Sequence, residues 1–340
     1  MHKLNIIKSK TLIQSVAIDL REPMMLWGQP GCGKSEAVAQ LAQDNNAMLV
    51  DIRLSQYDSV DLRGIPVPKD DGLTTWFAPS TLPFMGNDAF PDDRMIVLFL
   101  DELNSAQPSV SAVAYQLIND RRVGEHVLKD NVRVIAAGNR ESDRGVTNRM
   151  PTPLANRFTH LEIGVDADAW IEWAMGAGMH PLFAAFFKFR PDLISTFDPA
   201  KADKAFATPR TWAKAGKYYA AGMPSDTLEA ALSGAVGEGP AVEFLGFTKI
   251  WQDMPDLANI IKNPKTAPLP DGVGMSYAVA VGLSGKMDKK TVANIHLYLE
   301  RLSAEYLMCS WSLALKRDKA IATTDTFITD FAPKYIDLYR

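Results

Sequence analysis

The sequence predicts an α/β protein: a parallel sheet flanked by helices, followed by an all-helical region. Three observations carry that expectation. Five short, almost wholly apolar runs alternate with helical patterns through the first half of the 340 residues. A glycine-rich loop ending in a lysine and a serine follows the first of these runs directly. Beyond Asp166, helical spacing continues with no further convincing strand. Apolar runs without polar alternation are strands buried on both faces, the condition of a parallel sheet, whose functional loops gather at the strands' carboxyl ends.

Taken in order, a helical pattern over residues 10–20 leads to the first strand, Met24-Met25-Leu26-Trp27, and the loop Gly28 to Ser35. Ser35 to Ala42 has helical apolar spacing, so the loop opens a helix. Asp44-Asn45-Asn46 breaks that helix before a second strand, Ala47 to Ile52. Further strands are expected at Met95 to Leu100, Val132 to Ala137 and His160 to Ile163. Two extended arms around Asp71-Gly72, within Gly64 to Trp76, suit a hairpin, and Arg122 to Val127 suits a shorter one; an ordinary surface loop is the alternative for each.

The second half reads as helices over Asp168 to Met175, Pro181 to Phe189, Pro209 to Ala220 and Thr227 to Leu232. Two Pro/Gly-rich joints follow, Gly237-Glu238-Gly239-Pro240 and Asn263 to Gly274. After the second come helices at Tyr277 to Leu283, Lys289 to Leu302 and Ala304 to Leu315. The expected domains are therefore residues 1–165, an α/β nucleotide domain; 166–262, a helical lid; and 263–340, a helical C-terminal extension. Trp170, Trp173, Trp212, Trp251 and Trp311 sit at helical spacing and are expected to pack rather than to stack on a ligand.

The loop Gly28-Gln29-Pro30-Gly31-Cys32-Gly33-Lys34-Ser35 is a complete G-x-x-x-x-G-K-[ST] phosphate-binding sequence in its proper strand-to-helix context. Its glycines let backbone N–H groups wrap a polyanion, Lys34 reaches the β- and γ-phosphates, and the Ser35 hydroxyl ligates Mg²⁺. The helix it opens turns a positive end toward the phosphates. Cys32 fills a variable position of the loop, and nothing assigns it chemistry of its own. Asp101 and Glu102 end the buried run Met95 to Leu100, where a P-loop enzyme holds its metal-site carboxylate. Asp101 is the candidate to orient Mg²⁺ or its waters. Glu102 suits polarising a water for attack on the γ-phosphate, which favours hydrolysis over nucleotide binding alone; the alternative is that the two acids merely start a helix. Asn139, at the end of the Val132 run, can donate to the γ-phosphate or position the water.

Composition narrows the function classes. With 36 basic and 40 acidic residues the net charge is −4, which offers no global field for nucleic acid or an anionic membrane. Two cysteines, Cys32 and Cys309, argue against a disulfide framework and for a reducing, cytoplasmic compartment. The five histidines are scattered without metal-ligand spacing. No apolar run is long enough to span a membrane, and Met1 to Asn5 does not open an export signal.

The order of these motifs, continued by Leu154-Ala155-Asn156-Arg157-Phe158 and Thr208-Pro209-Arg210, resembles the AAA+ ATPases. Within that superfamily the chain is similar to the MoxR branch and its NorQ/CbbQ-type relatives through Arg53 to Gly64, Asp101-Glu102-Leu103-Asn104-Ser105-Ala106, Ala136 to Asn139 and Pro153 to Phe158. The similarity covers roughly residues 20–220. It implies that Asn139 is a first sensor, Arg157 an arginine finger offered to a neighbouring subunit, and Arg210 a second sensor at the start of a lid helix. Arg140, Arg144 and Arg149 lie between Asn139 and Arg157 and remain alternatives for the finger. Ser105 stands where the family often has arginine, which puts a subunit contact there in doubt. The resemblance further implies ATP and Mg²⁺, a homo-oligomeric ring, expected as a hexamer, and a pore-facing insert at Gly64 to Trp76. It also implies chaperone-like remodelling of a protein client, with a von Willebrand type A domain protein as the expected kind of partner. The competing class is a nucleic-acid-directed motor or loader, disfavoured by the net charge of −4.

Overall fold

The computed structural model describes residues 3–143, 150–201 and 203–339. They form two compact units, one of Met1–Val165 with Phe197–Ala202, the other of Asp166–Thr196 with Asp203–Arg340.

The first unit is built on ten strands: β1 (Lys3–Leu4), β2 (Met24–Trp27), β3 (Met48–Arg53), β4 (Ile65–Pro68), β5 (Thr74–Phe77), β6 (Ile96–Asp101), β7 (Arg122–Val123), β8 (His126–Val127), β9 (Val132–Gly138) and β10 (Thr159–Ile163). Its helices are α1 (Ile6–Ile13), α2 (Lys34–Asp44), α3 (Ser59–Arg63), α4 (Pro108–Asp120) and α5 (Thr152–Ala155). Six strands pair in the order β1-β10-β2-β9-β6-β3, every pair parallel. β4 pairs antiparallel with β5, and β7 with β8, as the two hairpins expected from the turn residues.

The two-residue period of a strand explains why the central runs lack polar alternation. Along β6, Ile96, Leu98 and Leu100 enter a core shared with Val110, Ala114 and Leu117 of α4. Val97 and Phe99 enter the opposite core with Val38 and Leu41 of α2. Both faces are covered, so both sets must be apolar. Two sequence expectations shift here. The helix expected over residues 10–20 starts earlier, at Ile6 under an Asn5 cap, and passes after Ile13 into a π-helical turn, Gln14–Asp19. The two-residue edge strand β1 carried too short a pattern to be read.

The second unit is helical: α6 (Ala167–Gly176), α7 (Pro181–Phe189), α8 (Pro209–Ala220), α9 (Ser225–Val236), α10 (Glu238–Gln252), α11 (Leu257–Lys262), α12 (Val273–Ser284), α13 (Val292–Leu299), α14 (Ala304–Arg317) and α15 (Ala332–Tyr339). Trp170, Phe183, Phe186, Phe187, Trp212 and Phe244 are buried, and Phe186 lies within 5.7 Å, centroid to centroid, of Trp212 and within 5.3 Å of Phe244. Trp311 stacks on Phe331 at 4.6 Å in the C-terminal core. Residues on both sides of position 262 belong to this one compact unit. Gly237-Glu238-Gly239-Pro240, read as a joint, is instead a one-residue corner: Gly237 ends α9, and Glu238, Gly239 and Pro240 form the first turn of α10. Proline is tolerated there because first-turn N–H groups have no helical acceptor. Among the described residues no helix is long and apolar enough to cross a membrane.

Candidate active site

The carboxyl ends of β2, β6 and β9, adjacent or next-but-one in the sheet, place three sequence-distant loops side by side. The phosphate loop leaves β2 at Gly28, and Gly33, at φ 102°, turns the chain into α2. That left-handed conformation is one glycine adopts without strain. Lys34 is therefore the first residue of α2 and is buried. Its ammonium donates to the carbonyls of Gly28 at 2.7 Å and Gln29 at 3.3 Å and to Oδ1 of Asn139 at 3.1 Å. Each acceptor is a neutral oxygen, so a phosphate oxygen would compete well for the charge. Cys32 is buried, and burial pushes its thiol pKa up, which disfavours the nucleophilic thiolate.

Ser35 Oγ donates to Asp101 Oδ2 at 3.0 Å, bringing a hydroxyl and a carboxylate oxygen to one point. Such hard oxygen donors suit Mg²⁺, which takes one or two protein ligands and completes its shell with water and phosphate. Among the described residues no cluster of three or more His, Cys, Asp or Glu could hold a metal ion.

Glu102 follows at φ 57°, an uncommon conformation for a residue with a Cβ. Its backbone N–H donates to Asp101 Oδ1 at 2.9 Å. Its carboxylate accepts from Ser55 Oγ and lies 3.9 Å from Arg53 Nε, both just beyond the end of β3 or at it. Asp51, earlier on β3, has its carboxyl held above the ordinary range by burial and then by the charge of Asp101, with Arg53 opposing.

Asn139 lies one residue past β9. Beside it, Arg140 is held by Asp143 at 2.7 Å and Glu162 at 3.0 Å, which raise its pKa. Arg157 is exposed and makes no side-chain hydrogen bond or ion pair with another described residue. Trp27 Nε1 donates to His160 Nδ1 at 2.9 Å, which leaves His160 Nε2 to donate to the Ala155 carbonyl at 2.7 Å. The short segment before Arg157 is thereby tied to the strand that carries the phosphate loop. Arg144 and Arg149 lie outside the described residues. Arg210 is exposed in the first turn of α8, behind a Thr208–Thr211 capping box, in the second unit. Reading the sequence missed two bonds, Ser55 to Glu102 and Asn104 Nδ2 to the Asn139 carbonyl at 2.8 Å, since no motif spacing joins a residue near the end of β3 to Glu102, or Asn104 to Asn139, 35 positions later.

Residues 23–158 match the AAA domain of the dynein-related subfamily. Midasin from Giardia intestinalis is 29% identical over 167 residues, 47% of this chain, which spans 3% of that protein's length. Among solved structures, the RuvB Holliday junction branch migration motor of Thermotoga maritima is similar at TM-score 0.41 and 16% identity, over 87% of this chain and 86% of that one. A putative ATPase from Cytophaga hutchinsonii is similar at TM-score 0.35 and 12% identity, over 91% and 84%. Neither structural likeness is deep enough to bear on function. The six-stranded parallel sheet, its phosphate loop and the match from β2 through Phe158 identify the first unit as having the AAA+ P-loop fold.

Proposed function

We propose that this protein hydrolyses ATP in the manner of the MoxR-like AAA+ ATPases, acts as a homo-oligomeric ring, and uses the cycle to remodel a partner protein. The observation that carries the reading is the convergence of Lys34, Ser35, Asp101, Glu102 and Asn139 at the carboxyl ends of three strands. Lys34 would leave the loop carbonyls for the β- and γ-phosphates. Ser35 and Asp101 would hold Mg²⁺, which neutralises developing phosphate charge when bound. Glu102 would accept the proton of the attacking water once freed of Ser55, and the Asn139 amide would orient that water or the γ-phosphate. Arg157 would complete a neighbour's site, and Arg210 would act as the second sensor.

The MoxR assignment rests on the residue stretches already named, from Arg53 to Gly64 and from Asp101 to Ala106. A client role is supported by the hairpin β4–β5, which exposes Ile65, Leu73 and Phe77. A protein with a von Willebrand type A domain is the proposed kind of partner. The decisive experiment is phosphate release from ATP by the purified protein with and without Mg²⁺, paired with native mass spectrometry with and without nucleotide. Turnover that depends on Mg²⁺ and assemblies of one discrete size support the reading. Absence of turnover in every assembly state overturns it.

A further inference from the structure

Asn104 is buried to 1% exposure, inside the turn that follows Glu102. Its Nδ2 donates to the backbone carbonyl of Asn139 at 2.8 Å, whereas its Oδ1 is buried without a hydrogen-bond partner. That oxygen lies against Gly138: a Cβ at Gly138 would come within 2.3 Å of Asn104 Oδ1 and 2.8 Å of Met25 Cε. The end of β9 thus lacks a side chain where the amide of Asn104 needs room. A buried amide with one unmade bond is costly, and a leucine or alanine would avoid the penalty. What the amide does at that cost is fix the peptide from which the Asn139 side chain projects toward Lys34.

We infer that Asn104 is a positioning residue for hydrolysis, acting through Asn139: it links the turn bearing Glu102 to the peptide that aims the Asn139 amide. The inference rests on the ATPase reading above and adds a residue to it. Among the described residues the hydrogen bonds of Lys34 and Ser35 go to Gly28, Gln29, Asn139 and Asp101, and none goes to Asn104. Its removal should therefore leave phosphate binding nearly intact while misplacing the group that acts during bond breaking. Misplacements on the scale of an ångström can slow a reaction about a hundredfold.

The test measures turnover at saturating ATP and, separately, the affinity for a fluorescent non-hydrolysable ATP analogue. Asn104→Ala and the isosteric Asn104→Asp, which when ionised has no donor for the Asn139 carbonyl, should each lose between about tenfold and a hundredfold in turnover. Affinity should stay within about threefold of the wild type, because ground-state binding is retained. Gly138→Ala, which crowds the amide without altering it, should reproduce the defect and carries the test if the Asn104 variants fail to fold. In an Asn139→Ala background, Asn104→Ala should cost nothing further, because residues acting through one group are non-additive. A purely architectural role would instead lower affinity and turnover together and add its loss to that of Asn139→Ala; either result overturns the inference, as does wild-type turnover in Asn104→Ala. A wild type without any turnover overturns the ATPase reading and this role with it, so the two failures are told apart by the wild type alone.

Discussion

Lys34 and Asn139 meet at 3.1 Å, ammonium to amide oxygen, although one opens a helix and the other follows a strand more than a hundred residues later. The lysine's remaining bonds go to carbonyls of its own loop, so its charge is held by neutral acceptors that a phosphate can replace. On the proposed reading, removing it takes away ground-state attraction for the nucleotide. Removing the Glu102 carboxylate, on the same reading, takes away only water activation, because Glu102 is hydrogen-bonded to Ser55 and Asp101 rather than to the phosphate loop. Lys34→Ala should accordingly abolish binding of the fluorescent ATP analogue, and Glu102→Gln should bind it normally and fail to release phosphate. Comparable affinity in wild type and Lys34→Ala would remove the phosphate-loop assignment; near-normal release by Glu102→Gln would remove the base.

The hairpin β4–β5 hangs on Gly64, whose φ is 88° and whose missing Cβ would lie 1.9 Å from the Phe77 carbonyl oxygen. Arg63, the last residue of α3, sits over the ring of Trp76 in β5 at 4.4 Å. Gly64→Ala combines a strained backbone, worth about 1–3 kcal/mol, with a backbone collision, and the hairpin should open before the sheet does. The expected signature is faster amide exchange confined to residues 64–77, with phosphate release within about twofold of the wild type, as the site's own residues lie elsewhere. Exchange unchanged in that segment would show that the hairpin does not depend on this pivot.

How far the sequence was legible follows from how local each signal is. The run Met95 to Leu100 could be read as a buried strand because both of its faces need apolar side chains, and its end at Asp101-Glu102 marked the candidate site. The phosphate loop could be read because glycine positions and the Lys-Ser pair are contiguous. The links that order the site are not: Ser55 to Glu102 and Asn104 to Asn139 join side chains across strands, where no period or spacing points from one partner to the other. The corner at Gly237 was misread because Gly and Pro signal a break, and a break of one residue between two helices carries the same letters as a linker.

The C-terminal core holds a histidine whose charge state should be felt in stability. His296 is buried, accepts at Nδ1 from Trp311 Nε1 at 3.1 Å, and has its pKa lowered chiefly by burial. Glu300 and Asp330 favour its proton and Lys334 opposes it, and burial outweighs them. His180, in the same unit, is also lowered by burial. With the folded pKa below the unfolded value of about 6.5, the unfolded chain takes up the proton first as pH falls. Stability from these sites is therefore full above about pH 6.5 and declines below it. His296→Gln keeps an acceptor for Trp311 and should melt with a shallower fall in midpoint between about pH 7.5 and pH 5.5. Parallel slopes for variant and wild type would exclude His296 as a source of acid sensitivity.

Arg157 should act on a neighbouring subunit's nucleotide. Arg140 is engaged by Asp143 and Glu162 within its own chain and is not a free cation. Arg157 is exposed, makes no ion pair with another described residue, and follows a segment that His160 ties to Trp27, the residue before the phosphate loop. A planar guanidinium suits the loose transition state of phosphoryl transfer, and losing one commonly costs about 10³ to 10⁵ in rate, or about 4 to 7 kcal/mol. Arg157→Ala should bind the ATP analogue and turn over poorly. Mixing it with Lys34→Ala subunits under exchanging conditions separates action in cis from action in trans, because a competent site forms only where the intact loop of one variant meets the intact arginine of the other. Phosphate release above that of either variant, in samples whose mixed assemblies are verified by native mass spectrometry, supports a shared site. If mixed assemblies form and stay inactive, or if Arg157→Ala alone hydrolyses ATP normally, the finger lies elsewhere, and Arg149 and Arg144 are the next residues to replace.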